Sequence, residues 1–170
     1  TIVLLLGMMI LAAYLAEAAF FRTASHLALR LARTPRGLLV GVTLVCAALS
    51  AFLVNDTVCV MVTPLVLASV EEARLPPLPY LLAVAMGSNV GSVATFTGNP
   101  QNMLVGQMSG IGYAHFAAVM TPIAIVTTLA CAGLLVLMFR RRLPAGPFVL
   151  TTPPPPTDRL WRRCAPSRSG

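Results

Sequence analysis

Charged side chains are scarce in this chain: they make up 10% of its 170 residues, whereas 57% of the residues are hydrophobic. A soluble domain carries about a quarter charged residues. Residues 75–139 contain no Asp, Glu, Lys or Arg at all, which leaves too few charged groups for a water-exposed surface. The scarcity of charge therefore excludes a soluble domain and predicts an integral membrane protein with several spans.

Lysine is absent, so the net charge of +7 comes from arginine alone. The arginines concentrate at residues 22–36, at residues 140–142 and towards the C-terminus. Short clusters beside apolar stretches follow the positive-inside rule and do not form a phosphate-binding face. We therefore expect residues 22–36 and 140–142 on the cytoplasmic side of the inner (plasma) membrane, with the lipid bilayer and not a nucleic acid as partner.

The sequence has no C-x-x-C pair, no cluster of metal-ligand residues and no nucleophile–base pair. Cys46, Cys59 and Cys131 lie in apolar segments, where cysteine acts as a small hydrophobic residue. We therefore predict that the protein is not an enzyme and has no cofactor, with Na⁺ as a candidate coupling ion.

Four segments are assigned from hydropathy and charge. Residues 1–21 predict a transmembrane helix, because about 20 apolar residues span the hydrocarbon core. Residues 22–37 place arginine, leucine and alanine at helical spacing and predict an amphipathic helix on the cytoplasmic interface. Residues 113–139 predict a second transmembrane helix, and residues 140–170 a basic, Pro-rich cytoplasmic loop or tail. Because the chain opens on Thr1 within an apolar run, we expect a fragment.

Residues 38–70 form an apolar stretch interrupted only by Asn-Asp-Thr at residues 55–57. As one helix the stretch would be about 50 Å long, well beyond the bilayer core. We expect instead a re-entrant helical hairpin with its tip at residues 55–57 and arms at 38–54 and 58–70, followed by a cytoplasmic loop at 71–79. A hairpin returns to its starting side and so keeps both arginine clusters cytoplasmic.

Residues 80–111 are also too long for one regular helix across the bilayer. Glycines and Pro100 permit a break, so we expect a broken transmembrane helix. Its first half reaches about Asn89, irregular backbone continues through residues 98–100, and the second half ends near Gly110. Gly87 and Gly91 are spaced as in a helix-packing motif.

A hairpin tip and an unwound helix at mid-membrane assemble a polar site from backbone and side chains together. Freed carbonyls and side-chain oxygens replace a cation's hydration shell, while half-helix N-termini face an anionic substrate. The candidate substrate- and ion-binding residues are Asn55, Asp56, Thr57, Ser88, Asn89, Gly91, Ser92, Thr97, Gly98, Asn99 and Asn102. Four of them are candidate Na⁺ ligands: Asn55, Asp56, Ser88 and Asn89.

Alternative roles stay open for several of these residues. Asp56 either carries the coupling ion, Na⁺ or a proton, or is a structural carboxylate bonded within the hairpin. Asn89, Asn99 and Asn102 either contact the ligand or cap helices across the break. Gly91 and Gly98 allow a positive φ and a close approach of backbone to ligand.

Three stretches resemble the ion transporter superfamily of arsenite permeases, NhaD-type sodium/proton antiporters, citrate carriers and divalent-anion/sodium symporters. They are GMMILAAYL, SAFLVNDTVCVMVTPLVL and GSNVGSVATFTGNPQNMLVG. The resemblance covers residues 1–142 and is nearest to bacterial anion permease-like members, of which the chain matches the N-terminal half. The dicarboxylate symporters carry Ser-Asn-Thr at the hairpin tip, whereas residues 55–57 introduce a carboxylate, which weakens the transfer of dicarboxylate specificity.

The resemblance implies an all-α integral membrane fold. Its re-entrant hairpin and broken helix form the first inverted repeat of an elevator-type transporter, and the full-length protein is implied to form a homodimer. The resulting hypothesis is a secondary active transporter that moves a small inorganic or carboxylate anion, coupled to Na⁺ or H⁺ by alternating access. One alternative is a Na⁺/H⁺ antiporter of the same superfamily. Another, from a different class, is a non-transporting membrane scaffold or subunit.

Overall fold

A computed structural model of the protein describes residues 34–143, together with residues 3, 6, 7, 10 and 14, which are helical. Most of the segments expected at residues 1–21, 22–37 and 140–170 lie outside the described residues. Within the described part the secondary structure is helical, and it contains no β-strand. The elements, in chain order, are α1 (Pro35–Phe52), α2 (Asn55–Glu72), α3 (Pro77–Gly91), two 3₁₀ turns (Ser92–Ala94 and Phe96–Gly98), α4 (Pro100–Ser109) and α5 (Tyr113–Phe139).

Prolines set the start of three helices. Pro35, Pro77 and Pro100 each occupy the first turn, where a missing N–H costs nothing. Thr34 and Asn99 add side-chain caps: Thr34 Oγ1 accepts from the Gly37 N–H at 3.0 Å, and Asn99 Oδ1 accepts from the Asn102 N–H at 2.8 Å.

The directions of the helices follow from contacts near their ends. Tyr80 Oη donates to the Pro35 carbonyl at 2.9 Å, so α1 and α3 begin side by side. Asn55, at the start of α2, bonds Asn89 near the end of α3, so α2 runs antiparallel to α3. Arg36 Nη2 donates to the carbonyls of Arg140 and Leu143, at 2.8 and 3.3 Å, which sets the end of α5 beside the start of α1.

Arg36 and the cluster at residues 140–142 therefore lie at the same end of the bundle. This is the arrangement that the positive-inside argument requires of the two arginine-rich segments. The guanidinium of Arg36 also satisfies carbonyls that the last turn of α5 leaves without a helical donor. We call this end the arginine-rich end.

Two of the described helices are long and apolar enough to cross a membrane, Pro35–Phe52 and Tyr113–Phe139. They differ in length: α1 has 18 residues and α5 has 27. At 1.5 Å per residue, these lengths correspond to about 27 Å and about 40 Å. Since α1 begins and α5 ends at the arginine-rich end of the bundle, the last residue of α1 lies about 13 Å short of the level at which α5 begins.

The turn between α1 and α2 lies earlier than residues 55–57. Leu53 and Val54 are extended, with φ of −118° and −62°, and Asn55 already belongs to α2. Residues 55–57 thus form the first helical turn and not the tip of the hairpin. The second break also differs in detail, because α3 continues to Gly91 and the non-helical and 3₁₀ backbone covers residues 92–99.

The core is built on a four-residue repeat in α2. Val58, Val62, Val66 and Val70 are all buried, with at most 5% of each side chain exposed. Positions four apart lie one above the other on a helix, so these valines form a single inward stripe. The stripe packs against a cluster that includes Leu38, Leu39, Cys46, Tyr80, Val84, Leu135 and Phe139.

Two glycines of α3 bring its backbone against α1. A Cβ added at Gly87 would lie 2.7 Å from the Thr43 carbonyl oxygen, and one added at Gly91 would overlap Ala47. Because both pairs are 44 residues apart in sequence, α1 and α3 run parallel in a fixed register. The expected packing role of the Gly87-x-x-x-Gly91 spacing agrees with this contact.

We expect Gly91→Ala to destabilise the protein by about 1–3 kcal/mol, because the methyl group overpacks a backbone contact. Gly133→Ala is the matched control: a Cβ there meets no atom within 4 Å, and alanine favours the helix. Thermal unfolding of the purified protein in detergent measures both variants. Equal midpoints for Gly91→Ala and Gly133→Ala would contradict the packing.

Candidate functional site

The two helix breaks lie against each other in the described bundle. Asn55 Nδ2, just after the first break, donates to Asn89 Oδ1 at 3.0 Å. The hydroxyl of Thr95, within the second break, donates to the carbonyl of Ala51 in the last turn of α1. Both breaks therefore lie at one level, beyond the ends of α1 and α3.

Four helix ends of opposite polarity meet at this level. The C-terminal ends of α1 and α3, which carry partial negative charge, arrive in parallel. The N-terminal ends of α2 and α4, which carry partial positive charge, leave from the same place. The arrangement provides carbonyl groups suited to a cation and N–H groups suited to an anion within one small region.

Asn99 and Asn102 hold the second break together. Asn99 caps α4 with its Oδ1 and donates from Nδ2 to Ser92 Oγ at 3.2 Å. Asn102 Nδ2 lies 2.9 Å from the Thr95 carbonyl, 3.3 Å from that of Ser92 and 3.4 Å from that of Val93. One amide thus holds in place the backbone on which the break depends.

Ser88, Asn89 and Ser92 are also engaged within the protein. Ser88 Oγ contacts Cys59 Sγ at 2.8 Å and donates to the Ala85 carbonyl at 3.1 Å. Asn89 Nδ2 donates to the same carbonyl at 2.9 Å, and Ser92 Oγ donates to the Asn89 carbonyl at 2.8 Å. These hydrogen bonds anchor the last turn of α3 in place beside Asn55.

The side chains with unused polar groups lie at the start of α2. Asn55 Oδ1 is buried and has no hydrogen-bond partner in the described structure. Asp56 is exposed, and Thr57 is half-buried. Neither the Asp56 carboxylate nor the Thr57 hydroxyl bonds another described residue. These three consecutive residues, together with the buried Ser50 hydroxyl one turn before the break, therefore retain unused hydrogen-bonding groups.

The expectation of a positive φ at Gly91 and Gly98 is wrong. Gly91 has φ −65°, and among the described glycines only Gly110, which ends α4, has a positive φ, at 67°. The structure requires glycine at these two positions because the backbone of another segment lies in close contact with them. A Cβ at Gly98 would overlap the Ser92 carbonyl, just as one at Gly91 would overlap Ala47.

Three participants are additional to the predicted set: Thr95, Cys59 and Ser50. Thr95 bonds both the end of α1 and, at 3.0 Å, the hydroxyl of the predicted residue Thr97. Thr95 could have been predicted from the sequence, because it lies within the second polar interruption. Ser50 is fully buried with an unpartnered hydroxyl one turn before the hairpin break, and Cys59 lies one turn after Asn55. Helical spacing from the break was the signal for these two.

No group of three or more His, Cys, Asp or Glu side chains suited to a transition metal occurs among the described residues. The candidate site is instead made of oxygen atoms, amides and helix ends. Such groups suit hard cations and small anions.

Comparison with known proteins identifies the family. A family model described as a citrate transporter matches residues 1–152. The chain is 35% identical to a protein described as a transporter, arsB, of Dictyostelium discoideum, over 84% of the chain and 25% of that protein. It is 40% identical to the silicon efflux transporter LSI3 of Oryza sativa subsp. japonica, over 66% of the chain and 23% of the relative.

The inner membrane protein YbiR of Escherichia coli K12 is 34% identical over 73% of the chain and 33% of its own length. The chain thus spans about a quarter to a third of the length of these relatives. No solved structure matches it. The three relatives are named as transporters or as a membrane protein. They confirm the predicted resemblance and the predictions of a membrane protein and of a non-enzymatic role. With a match over residues 1–152, the chain belongs to the citrate transporter family.

Proposed function

We propose that these residues form one half of the substrate and ion site of a secondary active transporter. It moves a small inorganic or carboxylate anion, coupled to Na⁺ or H⁺, by alternating access. The observation that carries the proposal is the meeting of four helix ends beside the unpartnered Asn55 Oδ1. Family membership supports transport as the activity. An elevator-like movement and a homodimer, which the resemblance implies, belong to the same proposal.

The length difference between α1 and α5 supports a re-entrant hairpin. If α5 crosses the whole bilayer, the turn at Leu53 and Val54 lies about 13 Å inside its far end. The broken helix is also long enough to cross, because α3 and α4 contribute 15 and 10 residues around the break. Irregular backbone at such a depth is tolerated where it is buried in protein or lines a cavity.

The coupling ion is assigned to the side of the site nearest α1 and α3. Their C-terminal ends contribute negative potential, and Asn55 Oδ1 is a buried oxygen without a donor. Asp56 supplies the formal charge that Na⁺ or a proton neutralises. In this proposal Ser88 and Asn89 position Asn55 and its surroundings, because their polar groups are already bonded within the protein.

The anion is assigned to the N-terminal ends of α2 and α4. In α2 no side chain caps the backbone N–H groups of the first turn, so they can point towards a bound anion. In α4, where Pro100 lacks an N–H and Asn99 caps that of Asn102, the contribution is the helix dipole. Thr57 offers a free hydroxyl at the start of α2. The carboxylate of Asp56 repels an anion while it is free, so prior neutralisation by the coupling cation provides a physical reason for symport.

Na⁺/H⁺ antiport is the second candidate, and the exposed and unpaired carboxylate of Asp56 favours it. A single carboxylate that binds either Na⁺ or a proton exchanges one for the other without any anion. The two candidates differ in whether an anion moves with the cation.

We expect Asp56→Asn to abolish gradient-driven anion uptake, because the amide removes the charge that the coupling ion neutralises. The full-length gene product is reconstituted in proteoliposomes, and a Na⁺ gradient and a pH gradient are imposed in turn. Uptake of labelled citrate, dicarboxylates, sulfate and arsenite is then measured. Asp158→Asn, in the basic, Pro-rich C-terminal segment, is the matched control for loss of one carboxylate. Full uptake by Asp56→Asn would contradict the proposal, and Na⁺-driven proton movement without anion uptake would favour antiport.

A second prediction separates binding groups from groups that hold the break. Asn102→Ala should lower thermal stability by about 1–3 kcal/mol, because buried carbonyls lose their donor. Asn55→Ala should instead weaken stabilisation by added Na⁺, with a smaller loss of stability in its absence. Thermal unfolding with and without Na⁺ measures both variants, with choline as the control cation. If both variants lost the stabilisation by Na⁺ equally, Asn55 could not be distinguished from Asn102 as an ion-binding residue, which would contradict the prediction.

A further inference from the structure

The face of α2 opposite the buried valines forms a continuous exposed ridge. Asp56, Val60, Pro64 and Ala68 are exposed at four-residue intervals, and Glu71 continues the ridge at the arginine-rich end. Val60 is 67% exposed. We call these five residues the α2 ridge. It joins the free carboxylate beside the hairpin break to a second carboxylate about 22 Å away along the helix.

Pro64 changes the polarity of the middle of the α2 ridge. Proline has no N–H, so the carbonyl of Val60 lacks its usual donor four residues ahead. Val60 and Pro64 are both exposed, so this carbonyl opens onto the same face of the helix. The α2 ridge therefore presents a carboxylate, a carbonyl without a helical donor and a second carboxylate in succession.

Hydrocarbon does not tolerate such a face. A backbone carbonyl without a donor costs several kcal/mol in lipid, and an intramembrane carboxylate costs at least about as much. The α2 ridge is therefore in contact with water or with protein. It differs from the stretch of α5 beyond Pro122, where no proline interrupts the helix and the exposed side chains of Val126, Leu129 and Leu137 are apolar.

We propose that the α2 ridge lines a water-filled path by which a cation travels from the arginine-rich end to Asp56. Along α2 itself charge favours a cation: the helix contains no basic residue, and it ends in two glutamates against the single Arg74 of the following connection. The other arginines at this end, Arg36 and residues 140–142, belong to α1 and to the end of α5. The Val60 carbonyl supplies an oxygen about one turn from Asp56, and the unpartnered Asn55 Oδ1 lies at the end of the path. That this cation is the coupling ion rests on the proposed function, whereas the hydration of the ridge does not.

Accessibility of single cysteines tests the path directly. The native Cys46, Cys59, Cys131 and Cys164 are first replaced by alanine, and Val60→Cys or Ala68→Cys is then introduced. Intact membrane vesicles that expose the arginine-rich end are treated with a membrane-impermeant cationic methanethiosulfonate reagent and with its anionic counterpart. We expect both positions to react, and the cationic reagent to react roughly fivefold faster relative to free thiol, because each position has one carboxylate of the α2 ridge within about one helical turn.

Val126→Cys and Leu137→Cys on α5 are the matched controls, because their side chains are 66% and 58% exposed on an apolar face. They should not react in intact vesicles and should react after solubilisation and unfolding, which verifies their presence. Glu71→Gln should reduce the preference of Ala68→Cys for the cationic reagent, because the two residues are three apart on the helix.

Two results would overturn the proposal. In the first, Val60→Cys and Ala68→Cys do not react with either reagent in intact vesicles but react fully after unfolding. That result would mean that protein or lipid covers the α2 ridge. A preference for the anionic reagent would exclude a cation path. Neither readout depends on uptake, so a failure here is distinguishable from a failure of the transport assay.

Discussion

The close contact between α1 and α3 is the constraint on which the other features depend. It exists because Gly87 and Gly91 allow the backbone of α3 to approach Thr43 and Ala47. With this register fixed, the two helices end together, and the Thr95 hydroxyl reaches the Ala51 carbonyl. Side chains at these positions would separate the helices, and the four helix ends would no longer meet.

Within this frame, the polar residues divide by whether their hydrogen-bonding groups are already used. Asn99 and Asn102 satisfy the backbone of the second break, much as they would cap an ordinary helix. Asn55 and Asp56 retain free oxygens. Both sets are polar amides and acids in an apolar chain, so their chemistry alone does not separate them. The distinction rests on which carbonyls lie within reach once the chain is folded.

The sequence predicts some elements more closely than others for identifiable reasons. The span expected at residues 113–139 has the bounds of α5, because Gly112 and Arg140 border an uninterrupted apolar run. The hairpin turn lies two residues earlier than predicted, because the polar tripeptide belongs to a helix and not to the tip. Asn and Asp are favoured where a helix begins, with their oxygens near free N–H groups, so residues 55–57 open α2 instead. The roles of Ser50 and Asn102 depend on contacts between elements, which spacing along the chain does not encode.

The two faces of α2 explain why its sequence has so little helical amphipathicity by ordinary measures. Both faces carry valine, and the difference between them lies in the backbone at Pro64 and in a single carboxylate at each end of the α2 ridge. A side-chain scale therefore describes the exposed face as apolar, whereas its carbonyl makes it polar. A helix of this kind packs firmly through the valine stripe and leaves the other side available to water. Inside a membrane, a proline on an exposed helix face is thus a polar feature, even though its side chain is not polar.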